Sequence, residues 1–150
     1  MRRRLRSLLD GEGRPRYGLF VDGPNLLRDD VDVDLAEVRE AIASRGELAI
    51  ARVYLDHRAP ARLVQAVEAA GFAVRTTSGD VDVRLAVEAT SAVERGVIDG
   101  LAVASRDLDF TPAIELARER GVRTLVLVPD GPDRSAGLLA SADEVVTLGA

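Results

Sequence analysis

Apolar residues fall into short runs separated by amphipathic stretches. Tyr17–Val21, Leu48–Leu55, Phe72–Thr76, Ile98–Ala104, Val122–Val128 and Glu144–Leu148 have strand length and strand composition. The stretches between them carry apolar residues at helical spacing and end at Gly46, Gly71, Gly96 and Gly121. Each of these glycines stands where a helix C′ residue is wanted, and a strand-like run follows each one. Their regular spacing suits a βα unit, but the units share no sequence, so a solenoid repeat is rejected. Strands alternating with helices predict an α/β fold with a mostly parallel central sheet covered on both faces.

The helix starts agree. Asp34 and Glu37 have capping-box spacing ahead of Leu35, Val38 and Ile42. Pro60 and Pro112 suit first-turn positions, with Thr111 predicted as an N-cap. A helix is expected over Val81–Arg95 and a short one over 134–140, after the turn Pro129-Asp130-Gly131-Pro132. Residues 1–16 read as a basic arm and 17–150 as one domain.

Composition narrows the chemistry. Aromatics make up only 3 % of the chain, so the core must be aliphatic. Cysteine is absent, which removes disulfides, thiol nucleophiles and cysteine zinc sites. All 20 basic residues are arginine, which removes a catalytic lysine. No apolar run is long enough to span a bilayer and no secretory h-region is present, so a cytoplasmic location and no membrane partner are expected. The net charge is −5, yet residues 1–16 carry +4, leaving −9 on the remainder. Such an arm either touches polyanions or is a leader without a role.

Several aspartates follow strand-like runs. Asp22 closes the first and leads into Gly23-Pro24-Asn25; Asp107 and Asp109 follow the fourth. In a parallel sheet all strand C-ends face one way, so these acids can converge. Each has a bland reading: Asp22 as a turn residue, Asp107 or Asp109 as a cap, Asn25 as a turn former. Asp82 is harder to dismiss, because it projects from the small, apolar side of its helix and wants a cation or donors. Glu88 can pair with Arg84 at i, i−4 on a solvated face, and Asp80 can pair with Arg84 the other way. Asp56 is an outside candidate for the acidic cluster. His57, the single histidine, follows a strand in a polar loop and supports no triad or zinc site. Gly11-x-Gly13 lacks a third glycine, no P-loop occurs, and Asp30-x-Asp32-x-Asp34 lacks the glycine and final acid of an EF-hand loop.

Three blocks occur in order: Phe20-Val-Asp-Gly-Pro-Asn-Leu-Leu27, Ser78-Gly-Asp-Val-Asp-Val-Arg-Leu-Ala-Val-Glu88 and Ser105-Arg-Asp-Leu-Asp-Phe-Thr-Pro112. Together they resemble the signature blocks of the NYN domain, in its LabA-like branch, a relative of PIN-domain ribonucleases. The resemblance covers about residues 17–148. It implies a PIN-like three-layer α/β/α sandwich with a metal pocket at the strand C-ends. It further implies Asp22, Asp82, Asp107 and Asp109 as the acidic set, with Asn25 orienting a carboxylate or meeting the scissile phosphate. Arg106 and Leu108 fill positions that are small in the family's third block, and Glu88 stands where aspartate is common. Arg106, Arg28 and Arg84 are the candidate phosphate contacts near the pocket. Oxygen ligands favour Mg²⁺ or Mn²⁺ over zinc. The expectation is a metal-dependent ribonuclease-like hydrolase acting on RNA of single-stranded character. The rivals are a non-catalytic NYN module that binds RNA or a protein partner, and a small nucleotide phosphatase. A homodimer is left open.

Overall fold

The computed structural model describes residues 13–27, 34–105, 110–130 and 141–149. Six strands are β1 (Arg16–Asp22), β2 (Glu47–Asp56), β3 (Ala73–Thr77), β4 (Gly100–Ala104), β5 (Arg123–Pro129) and β6 (Glu144–Leu148). Five helices among the described residues are α1 (Gly23–Leu26), α2 (Leu35–Ala43), α3 (Ala61–Ala69), α4 (Val81–Glu94) and α5 (Thr111–Glu119). The strands form one sheet in the order β3-β2-β1-β4-β5-β6, and every neighbouring pair is parallel. None of the described helices is long and apolar enough to cross a membrane.

The order explains the layers. Alternate residues of β1 point to opposite faces. Tyr17, Leu19 and Val21 pack with Val38, Ile42 and Val67 of α2 and α3. Phe20 packs on the other face with Leu85, Ala89 and Val93 of α4 and Ile114 of α5. β1 and β4 are buried on both faces, which is why they read as continuous apolar runs. The chain therefore forms an α/β/α sandwich, as expected. Strand order reverses between β1 and β4, the position where open parallel sheets ordinarily leave a crevice beyond the strand C-ends.

Local signals fare unevenly. Gly71, Gly96 and Gly121 adopt φ of +93°, +66° and +75°. Each ends its helix in a Schellman motif, in which Phe72, Val97 and Val122 donate back to Val67, Ala92 and Ala117. Gly46 is not in that conformation; a Cβ there would lie 2.3 Å from the Pro15 carbonyl oxygen. The N-caps differ more. Asp34 caps α2 by accepting from the Ala36 N–H, but Glu37 turns away and accepts from the Gly149 N–H instead of completing a capping box. Thr111 is the first residue of α5 rather than its cap; Phe110 takes the cap position, and the buried Thr111 hydroxyl has no hydrogen-bond partner among the described residues. Pro60 sits one place early, at the N-cap of α3.

Two arginines of the expected arm are docked on the domain. Arg16 opens β1, and Arg14 donates to the carbonyls of Ala43, the last residue of α2, and of Gly46 beyond it. Residues 1–12, including Arg2, Arg3, Arg4 and Arg6, and the expected helix over 134–140 lie outside the described residues.

The close approach of β1 to β4 needs Gly100. A Cβ there would stand 2.4 Å from the ring of Tyr17, which is buried and has nowhere to move. Gly100→Ala is expected to lower stability by about 1–3 kcal/mol through overpacking, read as a shift of the urea midpoint at constant m-value.

Candidate active site

A cleft of about 640 Å³ lies at the C-terminal edge of the sheet. Asp22, Asp56, Asp80 and Asp82 line it, together with Pro24, Asn25 and Arg58. Three separate segments thus bring acids to one place: the end of β1, the end of β2 and the start of α4. Asp22 and Asp82 share the cleft, although 60 residues separate them in sequence.

Asp22 is 5 % exposed, and a buried carboxylate needs donors. It accepts from the Ser105 hydroxyl at 3.0 Å and from the Asn25 N–H at 3.3 Å. The first bond ties the end of β1 to the residue after β4. The second makes Asp22 the N-cap of α1. Gly23 is required by the turn that follows, since a Cβ there would lie 2.5 Å from the Tyr54 carbonyl oxygen.

Asp80 is the N-cap residue of α4, and its side chain makes no cap bond. Asp82 stands in the first turn, half-buried, accepting from the Val83 N–H at 3.0 Å. Both acids face the partial positive charge of the helix N-terminus, which favours a carboxylate by about 0.3–1 kcal/mol. Asp56 is engaged by Arg58, through its guanidinium at 3.0 Å and its N–H at 2.8 Å. Those two hydrogen bonds hold the Asp56 carboxyl below the usual range. Arg58 is thereby the cationic member of the cleft lining, a residue that sequence reasoning passed over. Its place two positions beyond β2 was the available signal. His57 lies beside Asp56 and is exposed.

The donors on the cleft wall are hard oxygens, which suit a divalent cation of the Mg²⁺ or Mn²⁺ kind. Among the described residues, no three acidic or histidine side chains are grouped tightly enough to hold a metal by themselves. Asp107 and Asp109, which were expected to complete the set, lie outside the described residues, as do Arg28 and Arg106. Asn25 lines the cleft; Arg84 does not.

Arg84 belongs to a second cavity, of about 570 Å³, between α4 and strands β2 and β3. At its centre is Glu88. Glu88 is no solvated face residue: its carboxylate accepts from Arg84, from the Tyr54 hydroxyl and from Arg52 at 3.0 Å, with Arg75 3.8 Å away. Arg84 pairs with Glu88 and not with Asp80. Parallel pairing explains the convergence, because Arg52 is in register with Phe20, and Arg75 with Tyr54, so all point to the α4 side. Burial pushes the Tyr54 phenol far up, and its bond to Glu88 pushes it further. Burial also opposes ionisation of Glu88, but hydrogen bonds from Tyr54 and Arg84 and the nearby arginine charges outweigh it, holding the carboxyl below its usual range.

A depressed folded value means that the ionised carboxylate stabilises the native state above the ordinary glutamate range and loses that contribution as pH falls through the lowered value. Glu88→Gln is therefore expected to be less stable by about 1–3 kcal/mol at pH 7. The gap to the unsubstituted protein should close below about pH 4, as carboxylates protonate. Thermal melts of both proteins across pH 3–8 test this, and a gap independent of pH would refute it.

The profile of the family described as "NYN domain" matches residues 16–149. An uncharacterized protein of Methanocaldococcus jannaschii is 41 % identical over 138 residues, which are 92 % of this chain and 57 % of that protein. The chain thus spans little more than half the length of this curated relative. A crystal structure of a protein of unknown function from Vibrio parahaemolyticus superposes with a TM-score of 0.76 at 19 % identity, over 89 % of this chain and 93 % of the other. That likeness speaks for the fold alone. The family match runs from the first residue of β1 to the residue after β6, and so takes in the whole sheet and its acid cleft: the chain belongs to the NYN domain family.

Proposed function

We propose that the acid cleft is a metal-dependent ribonuclease centre, in which Asp22, Asp82, Asp107 and Asp109 hold Mg²⁺ or Mn²⁺. The observation that carries this reading is the meeting of Asp22 and Asp82, with Asp56 and Asp80, in one cleft at the C-terminal edge of the parallel sheet. When bound, a divalent cation depresses the pKa of a water and offsets charge on a phosphoryl oxygen. The protein's part is orientation. Ser105 and the Asn25 N–H fix the Asp22 carboxylate, and the α4 N-terminus supports Asp82. Arg58 and Asn25 line the same cleft, and on this reading they would meet the phosphate. An exposed, single-stranded backbone suits an open cleft of this kind.

A second reading has its own support. Asp22 is already satisfied by hydrogen bonds, as a purely structural acid would be. On that reading the chain is a non-catalytic NYN module that binds RNA or a protein.

Incubation of a mixed RNA pool with Mn²⁺ or with EDTA separates the two. The ribonuclease reading expects cleavage with Mn²⁺, none with EDTA, and a loss of at least about 100-fold in Asp22→Asn, on the scale set by losing one electrostatic partner of a transition state. Asn keeps an oxygen acceptor for one of the two Asp22 bonds, and at the other its amide N–H can donate to the Ser105 hydroxyl oxygen, so metal-free Asp22→Asn should melt close to the unsubstituted protein. Saturating Mn²⁺ should raise the melting temperature of the latter and much less that of the variant, following about 2.7 kcal/mol at 100-fold excess over Kd. Collapse of Asp22→Asn, with no Mn²⁺ effect on either protein, would favour the structural reading.

A further inference from the structure

The second cavity holds more positive charge than its structural task needs. One carboxylate, Glu88, is the acid in its lining, and four arginines surround it: Arg52, Arg75, Arg84 and Arg95. A single salt bridge with Arg84 and the Tyr54 hydrogen bond would already satisfy Glu88. Arg52 is held over the Phe20 ring at 6.0 Å and bonded to Glu88, a fixed cation at the cavity floor. Arg75 and Arg84 leave 42 % and 45 % of their side chains in solvent. Arg95 is exposed and has no carboxylate partner among the described residues. The cavity therefore carries a net charge of about +3, on a domain whose overall charge is negative.

Its position matters as much as its sign. The same two elements line both cavities in succession. β2 contributes Asp56 to the acid cleft, and Arg52 and Ile50 to the basic one. α4 contributes Asp80 and Asp82 to the first, then Arg84, Glu88 and Arg95 to the second. From Asp56 to Ile50 a strand runs about 20 Å. From Asp82 to Arg95 a helix rises about 20 Å. The two cavities thus lie end to end, on a face of the sheet where β3 is the edge strand.

The geometry points to a track for the sugar-phosphate backbone of one RNA strand, laid by Arg52, Arg75, Arg84 and Arg95 along α4 and leading into the acid cleft. This rests on the reading of the acid cleft as a ribonuclease centre. Guanidinium groups meet phosphates through paired N–H donors, and arginine is suited to that task. At about 3.4 Å per stacked nucleotide, the distance accommodates roughly six nucleotides. Phe20 and Tyr54, the nearby rings, are fully buried and offer no face to a base. The track therefore holds the backbone without reading sequence.

The test is fluorescence anisotropy of a labelled, unstructured 12-nucleotide RNA with the full chain in EDTA, across a sodium chloride series. The track expects log affinity to fall against log salt with a slope of about −2 to −3, from about −0.7 per neutralised phosphate. Arg75→Ala/Arg95→Ala should flatten that slope by about 1.4 and weaken binding at low salt by tenfold or more. Arg62→Ala, an exposed substitution on α3 in the opposite layer, should match the unsubstituted protein. Arg95→Gln, which breaks no ion pair among the described residues, should flatten the slope by about 0.7 and guards against misfolding of the double variant. The track is overturned by no binding, by equal slopes in all variants, or by displacement of the RNA by poly-glutamate of matched charge, which would mark an acidic protein as the occupant. Cleavage of the same RNA is then read with Mn²⁺. Cleavage without arginine-dependent binding removes the track and leaves the ribonuclease reading; arginine-dependent binding without cleavage does the reverse.

Discussion

Asp22 ends the central strand with its carboxylate almost withdrawn from water, and much of the C-terminal edge of the sheet is arranged to make that tolerable. The Ser105 hydroxyl reaches across from the end of β4, and the Asn25 N–H comes back from the first turn of α1. The Asn25 donor is local, but the Ser105 donor is in place only because β1 and β4 are neighbours. Their pairing in turn requires Gly100, against which the Tyr17 ring lies. Gly23 lets the chain turn tightly over Tyr54 and Leu55 immediately after the acid. A buried carboxylate costs stability unless hydrogen-bonded, so this edge of the sheet specifies its own geometry rather than relaxing into a generic strand end.

The α4 helix then divides the surface electrostatically. Its N-terminus presents Asp80 and Asp82 to the cleft, and its later turns present Arg84, Glu88 and Arg95 to the second cavity. A helix is stiff, so the two regions hold a fixed separation and orientation. The floor beneath is equally rigid. Tyr54 stacks near Phe20 with ring centroids 6.3 Å apart and donates its hydroxyl to Glu88. Glu88 is consequently an anchor for the arginines around it. Its burial explains why a longer glutamate works here: the carboxylate must reach past the helix surface to Tyr54 and Arg52 on β2.

The sheet was legible because its inner strands β1, β4 and β5 are buried on both faces and written in near-continuous apolar runs. β6 is found where its run predicts it, and the other strands shift by a residue or two. Three of the four punctuating glycines have the left-handed conformation that their position demands. The failures are tertiary. Glu88 and Arg84 form the expected i, i+4 pair, but nothing local announces that Tyr54 and Arg52 approach from another layer. Thr111 has cap chemistry, yet the chain is already turning at Phe110, whose buried ring takes precedence. Glu37 leaves its capping box because the end of β6 brings the Gly149 N–H within reach.

The candidate site was legible in the same partial way. Strand polarity allowed Asp22 and Asp82 to converge, because in a parallel sheet every C-end faces the same side, and the family resemblance named them together; both line one cleft. The arginines could not be placed in this way. Arg52 and Arg75 each interrupt a strand, and a polar residue on a strand means nothing until its cover is known. What gives them meaning is the edge of the sheet: β3 has no strand beyond it, and α4 lies over β1 while reaching only partly toward that edge. Arginines there stay half in solvent, tethered by one carboxylate that cannot neutralise them all. A packing role would be served as well by fewer charges. On the proposed reading, the surplus, standing end to end with the acid cleft, would serve a polyanion that crosses both: held by its phosphates in the second cavity, and met by a cation where the acids would otherwise repel it.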